Sequence, residues 1–297
     1  MGMPVPVDLR RGLSTTLTVL FPVMLVTLAL VLIAEINQLG VVGDIKDGKS
    51  VSYGKAEDAD DFAVAMSFLN LVAVVPVIVV WAVWFRRLRL NAETFAPGQH
   101  RFSPGWAAGA WFTPVVNLWF PKQIANDIWR ASSPQGPHAA PRGLLNAWWV
   151  TFLAGGIVGT WGQIMYDQAY DDMDNGVTSL AEANDLLDDM HTGLAMSVVS
   201  TLVLIACAIL AIILVRQITR MQEGRAALGP QGGTPPFGAP GTAPYGAQGQ
   251  PYGGAAPYGG PQYGGQQYGA GPGTPPGPGY QAPGQQQNPY GSGPTGY

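Results

Sequence analysis

Residues 194–215 read LAMSVVSTLVLIACAILAIILV, twenty-two positions in a row without a charge. As an α-helix rising 1.5 Å per residue, such a run is about 33 Å long, enough to cross a hydrocarbon core of about 30 Å. Three further uncharged runs of similar length occupy 13–34, 62–85 and 144–165. Four runs of this kind predict four transmembrane helices, an all-α integral membrane protein built as a four-helix bundle. Pro22 and Pro76 lie inside the first two runs. Neighbouring membrane helices can satisfy the backbone groups that a proline frees, so both are expected to mark kinks rather than ends.

The charges confirm the division and orient it. Of the 15 Lys and Arg residues, Arg10 and Arg11 precede the first run and Arg86, Arg87 and Arg89 follow the second. Arg101, Lys122, Arg130 and Arg142 lie before the third, and Arg216, Arg220 and Arg225 follow the fourth. The other two connections hold fifteen of the 19 acids, among them Asp44, Asp58, Asp60, Asp171 and Asp174, with only Lys46, Lys49 and Lys55 beside them. The positive-inside rule then predicts a multi-pass protein of the cell membrane with both termini cytoplasmic. Arg10 and Arg11 could open a signal peptide, but the apolar run behind them is too long for one and lacks a small-x-small cleavage site, so a retained first helix is expected.

A fifth apolar stretch, 106–120, is shorter and has Pro114 near its middle. If it spanned, the acidic 166–193 loop would move inside, so it is read as an interfacial or re-entrant segment on the cytoplasmic face. Its surroundings read RRLRLNAETFAPGQHRFSPGWAAGAWFTPVVNLWFPKQIANDIWRAS. The FSPGW at 102–106, the WFTPVVNLWFP at 111–121, the IWRAS at 128–132 and the two tryptophans that open the third run resemble a family of bacterial membrane proteins, common in actinobacteria, catalogued as domain of unknown function 4328. The resemblance covers about 60–220; it implies a membrane domain and assigns no activity.

Eight of the nine tryptophans fall on the predicted cytoplasmic side, where indole favours the headgroup region, and are expected to anchor and pack the inner face. The candidate inner-face motif is Trp106, Trp111, Pro114, Asn117, Trp119 and Pro121. In a second reading, Pro114 and Pro121 hold a broken helix whose backbone and Asn117 amide line a ligand or ion site. Inside the runs the polar residues are neutral, Ser67, Asn70, Asn146, Thr160 and Gln163, which disfavours proton relays and ion coupling. Gly155 and Gly159 form a small-xxx-small pair expected to pack within the bundle.

Other chemistry finds little support. Asp171, Asn175, Gly176 and Glu182 fit positions of a calcium loop, but Met173 stands where an oxygen ligand is needed, and Ser179 with Glu182 reads more simply as a capping box. His191 beside Asp188 and Asp189 lacks a second His or Cys for zinc, and Cys207 lies in an apolar run as a small hydrophobe. No nucleophile triad, HExxH or phosphate loop is present, so no catalytic, cofactor-binding or metal residue is expected, and no basic patch suggests nucleic acid. After Arg225 no charge occurs, and 226–297 is Gly, Pro, Gln and Tyr in units such as PYGG, expected to be a disordered cytoplasmic tail. The chain thus reads as a membrane domain over 1–225 and a tail, a non-enzymatic scaffold whose partners are the lipid bilayer and, through the tail, proteins or further copies of itself. The alternative is a small channel or transporter using segment 106–121.

Overall fold

The computed structural model describes residues 7–9 and 11–228. The expected tail lies outside them from 229 onward; its first two residues, Ala226 and Ala227, still belong to the last helix. Among the described residues there are six α-helices: α1 Gly12–Lys46, α2 Tyr53–Phe95, α3 Trp106–Gly109, α4 Phe120–Ser132, α5 Gly143–Asp174 and α6 Leu180–Ala227. The four long ones contain the four predicted runs and are apolar enough to cross a membrane. The protein is a multi-pass, all-α membrane protein.

The helices outrun their apolar cores. α2 has 43 residues and α6 has 48, about 65 and 72 Å, so each continues well past the hydrocarbon thickness. Ser52 starts α2 by accepting from Lys55 N–H, and Ser179 starts α6 by accepting from Glu182 N–H. In return the Glu182 carboxylate reaches back over the cap, accepting from the backbone N–H of Thr178 (2.7 Å) and drawing on that of Ser179. α1 and α2 run unbroken through Pro22 and Pro76, both exposed on their helices.

Polar pairs set the register. Between α1 and α6, Arg11 meets Glu223 (2.6 Å), Glu35 meets Thr201 (3.0 Å) and Lys46 meets Asp188 (2.6 Å), a descending series that makes the pair antiparallel. Between α1 and α2, Thr27 meets Asn70 at 2.9 Å and Gln38 meets Asp60 at 2.7 Å. Lipid gives helices no hydrophobic reason to associate, so such bonds and close contact carry the assembly. α5 and α6 come closest. A Cβ built on Gly162 would stand 2.7 Å from the Gly193 carbonyl oxygen, and one on Gly155 2.8 Å from the Leu204 side chain. Ser200 Oγ donates to Gly155 O across the same seam (2.8 Å), so the Gly155 and Gly159 face packs within the chain.

This seam makes a test. Gly162→Ala or Gly193→Ala should lower the thermal midpoint of the detergent-solubilised protein, an overpacking cost of about 1–3 kcal/mol. Gly156→Ala, where nothing lies within 4 Å of the added carbon, should leave it unchanged or slightly raised.

Candidate functional site

The basic end of the bundle holds α3, α4 and most of the tryptophans. α2 carries the chain beyond its apolar run to Phe95, and Gly98, at a φ of +69°, lets it reverse. The return strand is bolted to α2 by Arg89, which is buried and donates to Phe102 O from Nε (3.2 Å) and Nη2 (2.8 Å), and to Glu93 (2.7 Å). The Gly98 N–H and Arg89 together hold the Glu93 carboxyl below its ordinary pKa. Burial pushes the neighbouring His100 imidazole down, toward its neutral form. Arg101 then reaches α4, where it grips Asp127 with Nε (3.1 Å) and Nη2 (2.9 Å).

A second brace ties the end of α6 into this platform. The Gln222 side chain is 2 % exposed; its Nε2 donates to Leu88 O (3.1 Å) and Ser132 Oγ (3.2 Å), and its Oε1 accepts from Asn91 Nδ2 (2.9 Å). Three helices therefore meet at one amide whose polar atoms all have partners.

The predicted inner-face motif divides into an inner and an outer set. Trp111 points inward. Its ring meets Trp81 (5.8 Å), Phe85 (5.6 Å), Trp149 (6.4 Å) and Phe152 (5.9 Å), all at steep, T-shaped angles. Its Nε1–H is buried and has no hydrogen-bond partner among the described residues. Pro121 is buried at the first turn of α4. The outward set is Trp106 (40 % exposed), Trp119 (43 %), Pro114, Val115, Leu118 and Phe112, an apolar tip on the segment. Asn117 is half-buried, its N–H donating to Thr113 O (3.0 Å); among the described residues its side-chain amide has no hydrogen-bond partner.

The tip turns on Val115, whose φ of +66° and ψ of −50° with a Val116 N–H to Pro114 O bond of 2.7 Å make a γ-turn. That turn is strained for a β-branched residue. It folds segment 106–120 back on itself, from α3 through a 3₁₀ turn at Val116–Leu118 into α4.

One expectation is refined here and one needs correction. Of the anchoring and packing expected of the tryptophans the structure shows the packing: Trp81, Trp84, Trp129, Trp148 and Trp149 are buried in the core, and Trp81 of α2 meets Trp148 of α5 at 5.4 Å. The apolar layer is not free of ionisable groups. Glu35, just beyond its own run, is carried by antiparallel packing to Thr201, about 10 Å into the run of α6, and its Oε2 is buried without a partner. The packing register, absent from any single helix, was the missing signal. Helix α4 did have one, in Ile124 with Ile128 and Ala125 with Trp129 at i, i+4 spacing.

The cations are distributed unevenly. Lys122, the one lysine at this end, donates to Asn146 Oδ1 at 2.6 Å and pairs with no acid among the described residues. Burial, with Arg142 adding repulsion, brings its amine down to about 8. Among the described residues, no group of three or more His, Cys, Asp and Glu side chains is placed to hold a metal ion.

Roughly half of Lys122 is then neutral amine at pH 8, against under about 1 % of an ordinary lysine. An acylating reagent at pH 8 should modify Lys122 faster than Lys49, whose amine Asp44 holds above its ordinary value. Arg142→Ala should slow Lys122 only modestly, since it removes the smaller cause of the lowered pKa and leaves the burial, and peptide mass spectrometry reads both rates.

Comparison with curated proteins gives no match, and comparison with solved structures gives none. A family model does match, over residues 47–220, starting earlier than the motifs suggested and taking in all of α2 to α5 and most of α6. The chain belongs to the family described as Domain of unknown function (DUF4328).

Proposed function

We propose that the protein is a non-enzymatic scaffold of the cell membrane, with its basic end and both termini in the cytoplasm, that holds residues 229–297 at the inner face for interaction with proteins or with other copies of itself. The observation that carries this reading is the Gln222 brace. α6 leaves the membrane as a helix and is fixed by hydrogen bonds to α2 and α4 within two turns of its end, at Ala227. A brace at that place supports a rigid mount for whatever follows. Orientation rests on twelve of the 15 basic residues lying at this end.

The interacting chemistry rests on the sequence. Eight of the eleven tyrosines, at positions 245, 252, 258, 263, 268, 280, 290 and 297, are spaced through an uncharged Gly/Pro/Gln background. Aromatics on flexible spacers make many weak contacts, and confinement to one membrane raises their effective concentration. The Trp111 ring, wedged between α2 and α5, favours this reading over a water path through segment 106–121.

A cytoplasm-dependent reporter fused after Arg225 should be active, and one inserted in the 167–190 loop inactive; the reverse would overturn the orientation. Replacing all eight tyrosines by serine should leave membrane insertion unchanged and disperse clusters of the fluorescently tagged protein. Clusters that survive the replacement would remove the tail from the proposal.

A further inference from the structure

At the acidic end the four long helices enclose a pocket of about 430 Å³. α1 lines it with Gln38, Val41, Val42 and Ile45, α2 with Ala56 and Asp60, α5 with Tyr166, Tyr170, Met173 and Asp174, and α6 with Ala183, Leu187 and Met190. The volume suits a small organic molecule.

The lining specifies the chemistry. Most of it is aliphatic or thioether, which accepts an apolar body. Its ionisable side chains are two carboxylates and two phenols, and no lysine, arginine or histidine lines it. Among the described residues neither Asp60 nor Asp174 has an ion-pair partner, although three lysines stand at this end: Lys46 is taken by Asp188, Lys49 by Asp44 and Asp47, and Lys55 by Asp44. Gln38, buried at the pocket wall, donates to both Asp60 (2.7 Å) and Tyr166 (2.9 Å), which fixes the carboxylate and the phenol relative to each other. Tyr166 and Tyr170 are stacked with centroids 6.1 Å apart, and an aromatic face attracts a cation.

A hard metal ion does not suit such a wall, since it needs six or more oxygen ligands and finds mainly carbon and sulfur. A neutral apolar molecule would leave two carboxylates facing it unpaired, and an anion would be repelled. From this geometry we infer that the acidic-end pocket binds a lipophilic organic monocation, with its charge at Asp60 and Asp174, an aromatic contact at Tyr166 and Tyr170, and its apolar body against Val41, Leu187 and Met190.

Tetraphenylphosphonium and tetraphenylborate share size and shape and differ in the sign of their charge, so together they separate recognition of charge from partition into detergent. Titrated calorimetrically into the full-length protein in a non-ionic detergent, the phosphonium should bind saturably and the borate should show partition alone. Asp60→Asn with Asp174→Asn should weaken phosphonium binding about tenfold or more, the scale of one lost ionic contact. Asn keeps an oxygen for Gln38, and the thermal midpoint checks that the fold survives. Ala183→Phe, which fills the pocket from α6 without touching a charge, should abolish binding. Equal saturable binding of the borate, partition alone for the phosphonium, or phosphonium binding unchanged in both variants would overturn the inference. The scaffold reading stands apart from all of these outcomes, since it depends on the opposite end of the molecule.

Discussion

A peptide group in hydrocarbon has no water to bond with, so each crossing segment must satisfy its own N–H and C=O groups, and within this chain that means helix. The same solvent removes the ordinary hydrophobic reason for helices to gather. What brings them together is contact without intervening side chains and the scarce polar bonds. In this protein both converge on α6. It meets α5 backbone to backbone at Gly162 and Gly193, and it meets α1 through Glu35 to Thr201 and through ion pairs at either end. α1 in turn holds α2, at Thr27 with Asn70 and Gln38 with Asp60.

This order, α2 on α1, α1 on α6, α6 on α5, leaves α2 and α5 as neighbours without a close seam of their own. The gap between them is closed at the basic end by large rings. Trp81 from α2, Trp148 and Trp149 from α5 and Trp111 from the folded-back segment fill it, and burial of that much aromatic surface offsets the unpartnered indole N–H of Trp111. The strain of the γ-turn at Val115 belongs to the same solution, since a sharp reversal is needed for the chain to deliver Trp111 inward and still begin α4 one turn later. At the acidic end no segment folds back, and the corresponding space is the pocket between Asp60 and Asp174.

The sequence made the crossings legible because hydropathy and charge are properties of a segment taken alone. Four spans, the segregation of acids from bases and the non-spanning character of 106–120 all belong to that kind of information. Positions that depend on how segments meet did not show. Glu35 read as a loop acid because it follows its own apolar run, whereas its depth is set by Thr201 on another helix. The tryptophans read as residues that anchor and pack the inner face, but whether a given ring faces lipid or a neighbour depends on a gap that only the assembled helices define. Of the motif from Trp106 to Pro121, sequence identified the segment and not which of its residues point inward.

The polar side chains at the two ends follow different rules for the same reason. At the basic end several buried ones are bonded in place, Arg89 by Glu93 and Phe102 O, Asp127 by Arg101, and Asn91 by Gln222, while His100, Trp111 and Ser133 each keep a buried polar atom without a partner among the described residues. At the acidic end Gln38 holds Asp60 and Tyr166 in place without neutralising either carboxylate of the pocket. The Gln222 network holds α2, α4 and α6 in one arrangement. A network that fixes a carboxylate and leaves its charge uncompensated keeps electrostatic free energy available to a ligand of opposite sign. Helix α6 is the element common to both ends, closing the Gln222 network at one and lining the pocket with Ala183, Leu187 and Met190 at the other.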